Sequence, residues 1–204
     1  MRCKLSILLF LIGVFSITYF SYAQEKKKIP IPSLYNTGVD NNRVPLSDGE
    51  IDQHYVLVLS ADERYPGPDA KIVFSEGFPM DCWIYNDNTS KWIAPRADAG
   101  EFNAPGIYVY SLSFSLYGFK PETAEIRGYW TTDNNGADIM INSNSTGFAT
   151  EYNAFAAGFY HFEIKEGFVK GINTISFAVN NGEAPTGLRV VIYGEAEPIE
   201  FVNK

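Results

Sequence analysis

Cysteine and histidine are nearly missing from this 204-residue sequence, which holds two of each. Cys3 precedes a long apolar run and Cys82 stands between Asp81 and Trp83. Once the leader described below is removed, one cysteine remains, so no internal disulfide can close and stability must come from packing. Cys82 lacks the basic neighbour that activates a thiolate and is expected to pack as a small apolar residue. His54 and His161 lie far from each other and from Cys82, which excludes the ligand spacing of a zinc site. Each adjoins a tyrosine, Tyr55 or Tyr160, as an ordinary strand residue would. The sequence also lacks a Gly-x-Ser-x-Gly elbow and a phosphate-cradling glycine loop. Paired carboxylates for glycoside cleavage stay open, because they meet in space rather than along the chain.

Positive charge is short as well: 16 Lys and Arg face 24 Asp and Glu, a net charge of −8. Loss of Arg2 and Lys4 with the leader leaves 14 against 24, or −10. Such a surface repels phosphate backbones, so nucleic acid is not an expected partner. The one basic run, Lys26-Lys27-Lys28, reads as a solvated tail.

The leader is MRCKLSILLFLIGVFSITYFSYAQ, with Arg2 and Lys4, an apolar run from Leu5 to about Phe20, then Ser21-Tyr22-Ala23. A charged start, a short apolar stretch and small residues at −3 and −1 make a secretory signal, with cleavage after Ala23. The run is shorter than the ~20 residues that span a bilayer, so no membrane span is expected. Cys3 precedes the run, where it cannot serve as a lipid-anchor cysteine. Residues 1–23 are thus expected to be a signal peptide and the mature protein secreted or periplasmic. The 181 residues that remain suffice for one domain burying about 70% of its extended surface. We divide them into a short N-terminal tail, 24–32, a folded domain, 33–195, and a C-terminal tail, 196–204.

Helical periodicity is almost absent, and period-two alternation takes its place. It runs through HYVLVLS (54–60), KIVFS (71–75), IYVYSLSFSL (107–116), AEIRGYW (124–130), DIMIN (138–142), YHFEIK (160–165), INTISFAVN (172–180) and GLRVVIYGEA (187–196). In INTISFAVN, Ile175, Phe177 and Val179 share one face while Thr174, Ser176 and Ala178 share the other, as in a half-buried strand. Turn clusters such as Pro66-Gly67-Pro68, Asn134-Asn135-Gly136 and Pro185-Thr186-Gly187 punctuate the runs. Eight or nine strands without crossover helices predict an all-β fold, an antiparallel β-sandwich of the jelly-roll kind.

The segment GYWTTDNNGADIMINSNSTG (128–147) gathers Asp133, Asn134, Asn135 and Asp138. An EF-hand loop needs Gly at its sixth position and Glu at its twelfth, but counting from Asp133 gives Asp138 and Asn144. A looser calcium site on Asp133 and Asp138 is one reading. The preferred one is a strand connection turned by Asn134, Asn135 and Gly136, with Asp133 bonding backbone amides.

Aromatic residues are plentiful, and flat rings suit both sugar faces and a sheet-to-sheet core. Trp130, Tyr108 and Tyr110 continue apolar strand faces and are expected in the core. Trp83 and Tyr85, in MDCWIYNDNTSKW, lie between strands beside Asn86, Asp87 and Asn88, where polar groups could orient a sugar hydroxyl. The candidate ligand-binding residues are Trp83, Tyr85, Asn86 and Asp87.

LYNTGVD, KWIAP, GIYVYSLSFSL, GYWTTDNNGADIMIN, STG, EGFVKGINTISFAV and PTGLRV, in this order, resemble a type of secreted bacterial domain of the galactose-binding-like jelly rolls. These include many carbohydrate-binding modules, and the likeness covers roughly residues 33–195. It implies a non-catalytic β-sandwich that binds a glycan or polysaccharide, sometimes with a structural calcium. The composition and signal resemble exported proteins of Bacteroidetes, a setting of extracellular polysaccharide degradation, for example of algal polysaccharide. The expected function is a secreted glycan-binding module. Two alternatives stay open: a cell-surface or matrix adhesion protein, and a small glycosidase or lyase on the same sandwich.

Overall fold

The computed structural model describes residues 27–200. The expected signal peptide, 1–23, its cleavage point after Ala23 and residues 201–204 lie outside the described residues. Eleven strands follow in chain order: β1 Ile29–Pro30, β2 Ile51–Leu59, β3 Asp69–Ile72, β4 Ile93–Ala94, β5 Gly106–Ser115 and β6 Glu125–Asp133. Then come β7 Asn135–Ile141, β8 Asn144–Ser145, β9 Tyr160–Ile164, β10 Ile172–Asn181 and β11 Gly187–Ala196. One short helix, α1, spans Ala154–Ala157, and a 3-10 turn spans Pro121–Thr123. The fold is all-β, and each of the eight alternating runs coincides with a strand. Among the described residues no helix is long and apolar enough to cross a membrane.

Every strand pair is antiparallel. The hydrogen-bonded path runs β8-β7-β10-β5-β2-β3-β4-β11-β6-β9, with β1 added to β11. This one curled sheet folds over on itself: β8-β7-β10-β5-β2 forms one layer, β4-β11-β6-β9 the other, and β3 links them. β8 and β9, the two ends of the path, are left as free edges. The result is an antiparallel β-sandwich.

Alternation fills the space between the layers. From β10, Ile175, Phe177 and Val179 are fully buried, and from β5 so are Tyr108 and Tyr110. The Phe177 ring lies 5.7 Å from Trp130, 5.9 Å from Phe162 and 6.2 Å from Tyr55, all at tilted or edge angles that suit ring quadrupoles. A second, smaller cluster forms outside the sandwich from Val73, Met80, Trp83, Trp92, Ala94 and Ala99, with Phe155 packed on it. It lies on the outer face of β11, where a methyl on Gly187 would come within 2.8 Å of the Trp83 ring.

Asn134-Asn135-Gly136 connects β6 to β7, but the two strands do not pair with each other. β6 already has β11 and β9 as neighbours, whereas β7 pairs with β10 and β8. The segment therefore carries the chain from one layer to the other. Gly136 is needed for close packing: a Cβ there would lie 2.2 Å from Cη2 of Trp130. Cys82 also departs from expectation. It is exposed, because the turn in which Cys82 and Trp83 amides bond the Pro79 carbonyl swings Trp83 inward and Cys82 outward.

The outer segments are tied to the domain. Ile31 N donates to Gly194 O, Lys120 N to Glu197 O and Ile199 N to Gly118 O.

Candidate functional site

The residues expected to bind a ligand sit in the loop that crosses the outer face of β11, and the structure gives them different duties. Trp83 is 4% exposed. Its ring centre lies 4.3 Å from that of Trp92, and its indole Nε1 donates to Asp133 Oδ2 at 2.8 Å. A buried ring offers no face to a sugar, so Trp83 is a core residue here. Asn86 accepts from Trp92 N at 2.7 Å and donates to Ser75 Oγ at 3.2 Å. Asp87 Oδ1 accepts from the amides of Thr89 and Ser90, and its Oδ2 pairs with Arg189 Nη2 at 2.8 Å. Those amides and the Arg189 charge hold its carboxyl below the usual range, outweighing a partial burial that acts the other way. Tyr85, 64% exposed, and Asp87, 57% exposed, both reach solvent, but Tyr85 alone of the four makes no side-chain bond among the described residues.

Arg189 secures this loop, a role that sequence reading missed. Its side chain is fully buried. Nε donates to Ser90 Oγ at 2.8 Å, Nη1 reaches the carbonyls of Ile84 and Tyr85, and the guanidinium lies 5.2 Å over the Phe159 ring. Burial lowers its proton affinity, against which the Asp87 carboxylate works. The planar fork of Arg suits such convergent carbonyls.

Asp133, at the end of β6, is 3% exposed, and burial pushes its carboxyl up to about 7 while the Trp83 bond pulls the other way. Oδ1 has no partner among the described residues. Asp138, in β7, accepts from Gly147 N at 3.1 Å. The two carboxylates thus serve different connections, and neither converges with a third acidic, His or Cys side chain. Among the described residues no three such side chains gather where a metal could bind. Asp133 accepts the Trp83 indole of the outer loop instead of the backbone amides expected of it.

Where the sandwich opens, between the free edges β8 and β9, there is a cleft of about 580 Å³. Ile141, Ile164 and Phe148 supply its apolar lining; Asn144, Ser145, Thr146, Glu163, Lys165 and Glu166 supply the polar groups. Phe148 is half-buried, its ring 6.3 Å from Phe162. Thr146 Oγ1 is spent on Ile139 O at 2.6 Å, and Lys165 Nζ on Glu163 at 3.2 Å and Glu125 at 3.3 Å. Arg127 Nε lies 3.6 Å from Glu163. No motif marked this cleft. Its one signal in the sequence was a phenylalanine, Phe148, in the polar run NSNSTGFATE, outside any alternating strand.

No known family profile matches the chain, and no curated protein matches it. Several solved structures show a likeness, among them the following three. A CBM35 from Paenibacillus barcinonensis is 13% identical, over 69% of this chain and 92% of its own, with a TM-score of 0.36. The CBM36-1 domain of a multidomain xylanase from the hindgut metagenome of Trinervitermes trinervoides is 12% identical, over 72% and 98%, with a TM-score of 0.34. The Stig cyclase Fisc from Fischerella sp. TAU, in complex with an indole compound, is 12% identical, over 81% and 99%, with a TM-score of 0.43.

Proposed function

We propose that the chain is an exported, non-catalytic glycan-binding protein, accessory to extracellular polysaccharide breakdown, whose ligand lies in the cleft between β8 and β9. One observation carries the reading: the half-buried Phe148 ring lines a cleft whose other groups are amide, hydroxyl and carboxylate. A partly open ring among orienting polar groups matches the amphipathic surface of a sugar. The cleft also lies within the usual size range of ligand pockets, about 300–1,000 Å³.

The state of the carboxyls supports binding without catalysis. A glycosidase general acid must be desolvated to keep its proton. Glu163 is 38% exposed and paired with Lys165 and Arg127, and Glu166 is exposed. The carboxyls that burial raises, Asp133 and Asp52, are both enclosed, Asp133 beneath Trp83 and Asp52 on the amides of Gly38, His54 and Tyr55, out of reach of a polymer.

The test is retention of the mature protein on a panel of immobilised polysaccharides, beside Phe148→Ala. Retention on at least one polymer, weakened tenfold or more in the variant below its melting temperature, with no release of reducing ends, is the expected result. Empty panels for both proteins would refute the reading.

An adhesion role is favoured by a different observation. Val56, Ser111, Ser176 and Met140 stand in register across β2, β5, β10 and β7 on the outer face of one layer. With exposed Val58 and Ile107 they make an outer surface poor in charge. Self-association of the protein together with an empty glycan panel would favour that reading.

A further inference from the structure

The polar groups of the cleft are not evenly divided between donors and acceptors. Thr146 gives its hydroxyl hydrogen to Ile139 O, and Asn144 turns its amide nitrogen to the carbonyls of Ile141 and Asn142. Lys165, the only cation in the lining, is tied to Glu163 and Glu125. Among the described residues, Ser145 and the third N–H of Lys165, an ammonium already held by two carboxylates, are then the side-chain donors without a partner. Acceptors remain: the Asn144 carbonyl oxygen and the carboxylate of Glu166, which has no hydrogen-bond or ion-pair partner among the described residues.

A lining rich in acceptors selects a ligand rich in donors. A carboxylate or sulfate on a sugar is acceptor-only and negatively charged, so it would meet Glu166 and Glu163 with repulsion and find only the Ser145 hydroxyl and one N–H of an ammonium whose charge two carboxylates already offset. An acetamido group offers one N–H. A free amine, protonated near neutrality, offers three donors and a charge opposite to that of Glu166.

Resting on the glycan-binding reading, we propose that the cleft between β8 and β9 selects glycans bearing free amino groups, the ammonium seated on Glu166 and the sugar face on Phe148. Charge selectivity of this kind is stronger at low salt, because Glu166 is solvated and the attraction is screened.

The experiment is calorimetric titration of the mature protein at pH 6 with three tetrasaccharides of the same β-1,4 linkage: glucosamine, N-acetylglucosamine and glucose. Glu166→Gln, Phe148→Ala and the remote Glu76→Gln complete the set. The expected result is glucosamine bound at least tenfold more tightly than the other two. That preference is expected to vanish in Glu166→Gln and persist in Glu76→Gln. Equal or tighter binding of the neutral sugars, still dependent on Phe148, would overturn the amine selectivity and leave the glycan reading standing. Equal weakening by Glu166→Gln and Glu76→Gln would also overturn it, since only the overall negative charge would then be at work. Absence of binding to all three, with empty polysaccharide panels, would remove both readings.

Discussion

Trp83 Nε1 donates to Asp133 Oδ2 at 2.8 Å, joining two residues fifty positions apart in sequence, and this bond pins the outer loop to the end of β6. Burial raises the Asp133 carboxyl from 3.8 to about 7. The folded chain therefore holds a proton that the unfolded chain releases at lower pH. The stability linked to that proton is complete below the unfolded value, declines as pH rises, and is gone above about 7. A shift of about three units at about 1.4 kcal/mol each makes the decline on the order of 4 kcal/mol. Asp133→Asn keeps an acceptor for Trp83 and removes the charge. Thermal melts from pH 4 to 8 are expected to show a flatter profile and, at pH 8, a more stable variant. An unchanged slope would mean that another group titrates.

Trp83→Ala is expected to destabilise the fold by about 3–5 kcal/mol, the usual loss for a buried large aromatic. Its ring contacts Trp92 and closes over Gly187. Urea unfolding measures this, and a loss below about 1 kcal/mol would show that the outer cluster contributes little.

The strands were legible because alternation reports which face of a strand is buried, as in Ile175, Phe177 and Val179. β1, β4 and β8 are two residues each, too short to alternate. Trp83 was misread for a related reason. Its polar neighbours Asn86 and Asp87 resemble a solvent-facing loop, but they bond to Trp92, Thr89, Ser90 and Arg189 and fold the loop down. A core outside the main sandwich has no periodicity to announce it. The cleft was invisible because β8 and β9 become its walls only when the sheet has closed.

Gly136→Ala is expected to cost about 1–3 kcal/mol through overpacking. The added methyl would meet the Trp130 ring at 2.2 Å, inside contact distance, and that ring is fully buried beside Phe177. A turn glycine would behave otherwise, since Gly136 has no positive φ to lose. Denaturant midpoints of Gly136→Ala and of Trp130→Phe with Gly136→Ala separate the cases. Partial recovery in the double variant, measured against Trp130→Phe alone, is the expected sign of steric conflict.

Arg189→Lys is expected to destabilise nearly as much as Arg189→Met, by about 3 kcal/mol. A lysine ammonium cannot fork to Ser90, two carbonyls and Asp87 at once. The Ile84 carbonyl keeps the Trp92 indole at 2.7 Å, but the Tyr85 carbonyl loses its donor at a cost of about 1–3 kcal/mol and the tight packing of the guanidinium is lost, whereas Asp87, 57% exposed, regains water. Chemical denaturation checks this, and full rescue by lysine would show that charge alone matters.

Tyr85, Asp87 and Phe148 together separate the two places where a glycan could sit. Tyr85 is exposed and makes no side-chain bond among the described residues, so Tyr85→Ala should change stability by less than about 0.5 kcal/mol. Asp87→Ala removes the acceptor of two amides and the Arg189 partner, so about 1–2 kcal/mol should be lost. If the sugar lies in the cleft, neither change alters retention on a cognate polysaccharide, because these residues belong to the loop over β11 and not to the lining of the cleft. Phe148→Ala should reverse the pattern, with a large loss of retention and a modest loss of stability from the half-buried ring. Affinity electrophoresis in polysaccharide gels, run beside thermal melts, reads both quantities on each variant. Loss of retention in Tyr85→Ala with Phe148→Ala unaffected would move the binding surface to the outer loop.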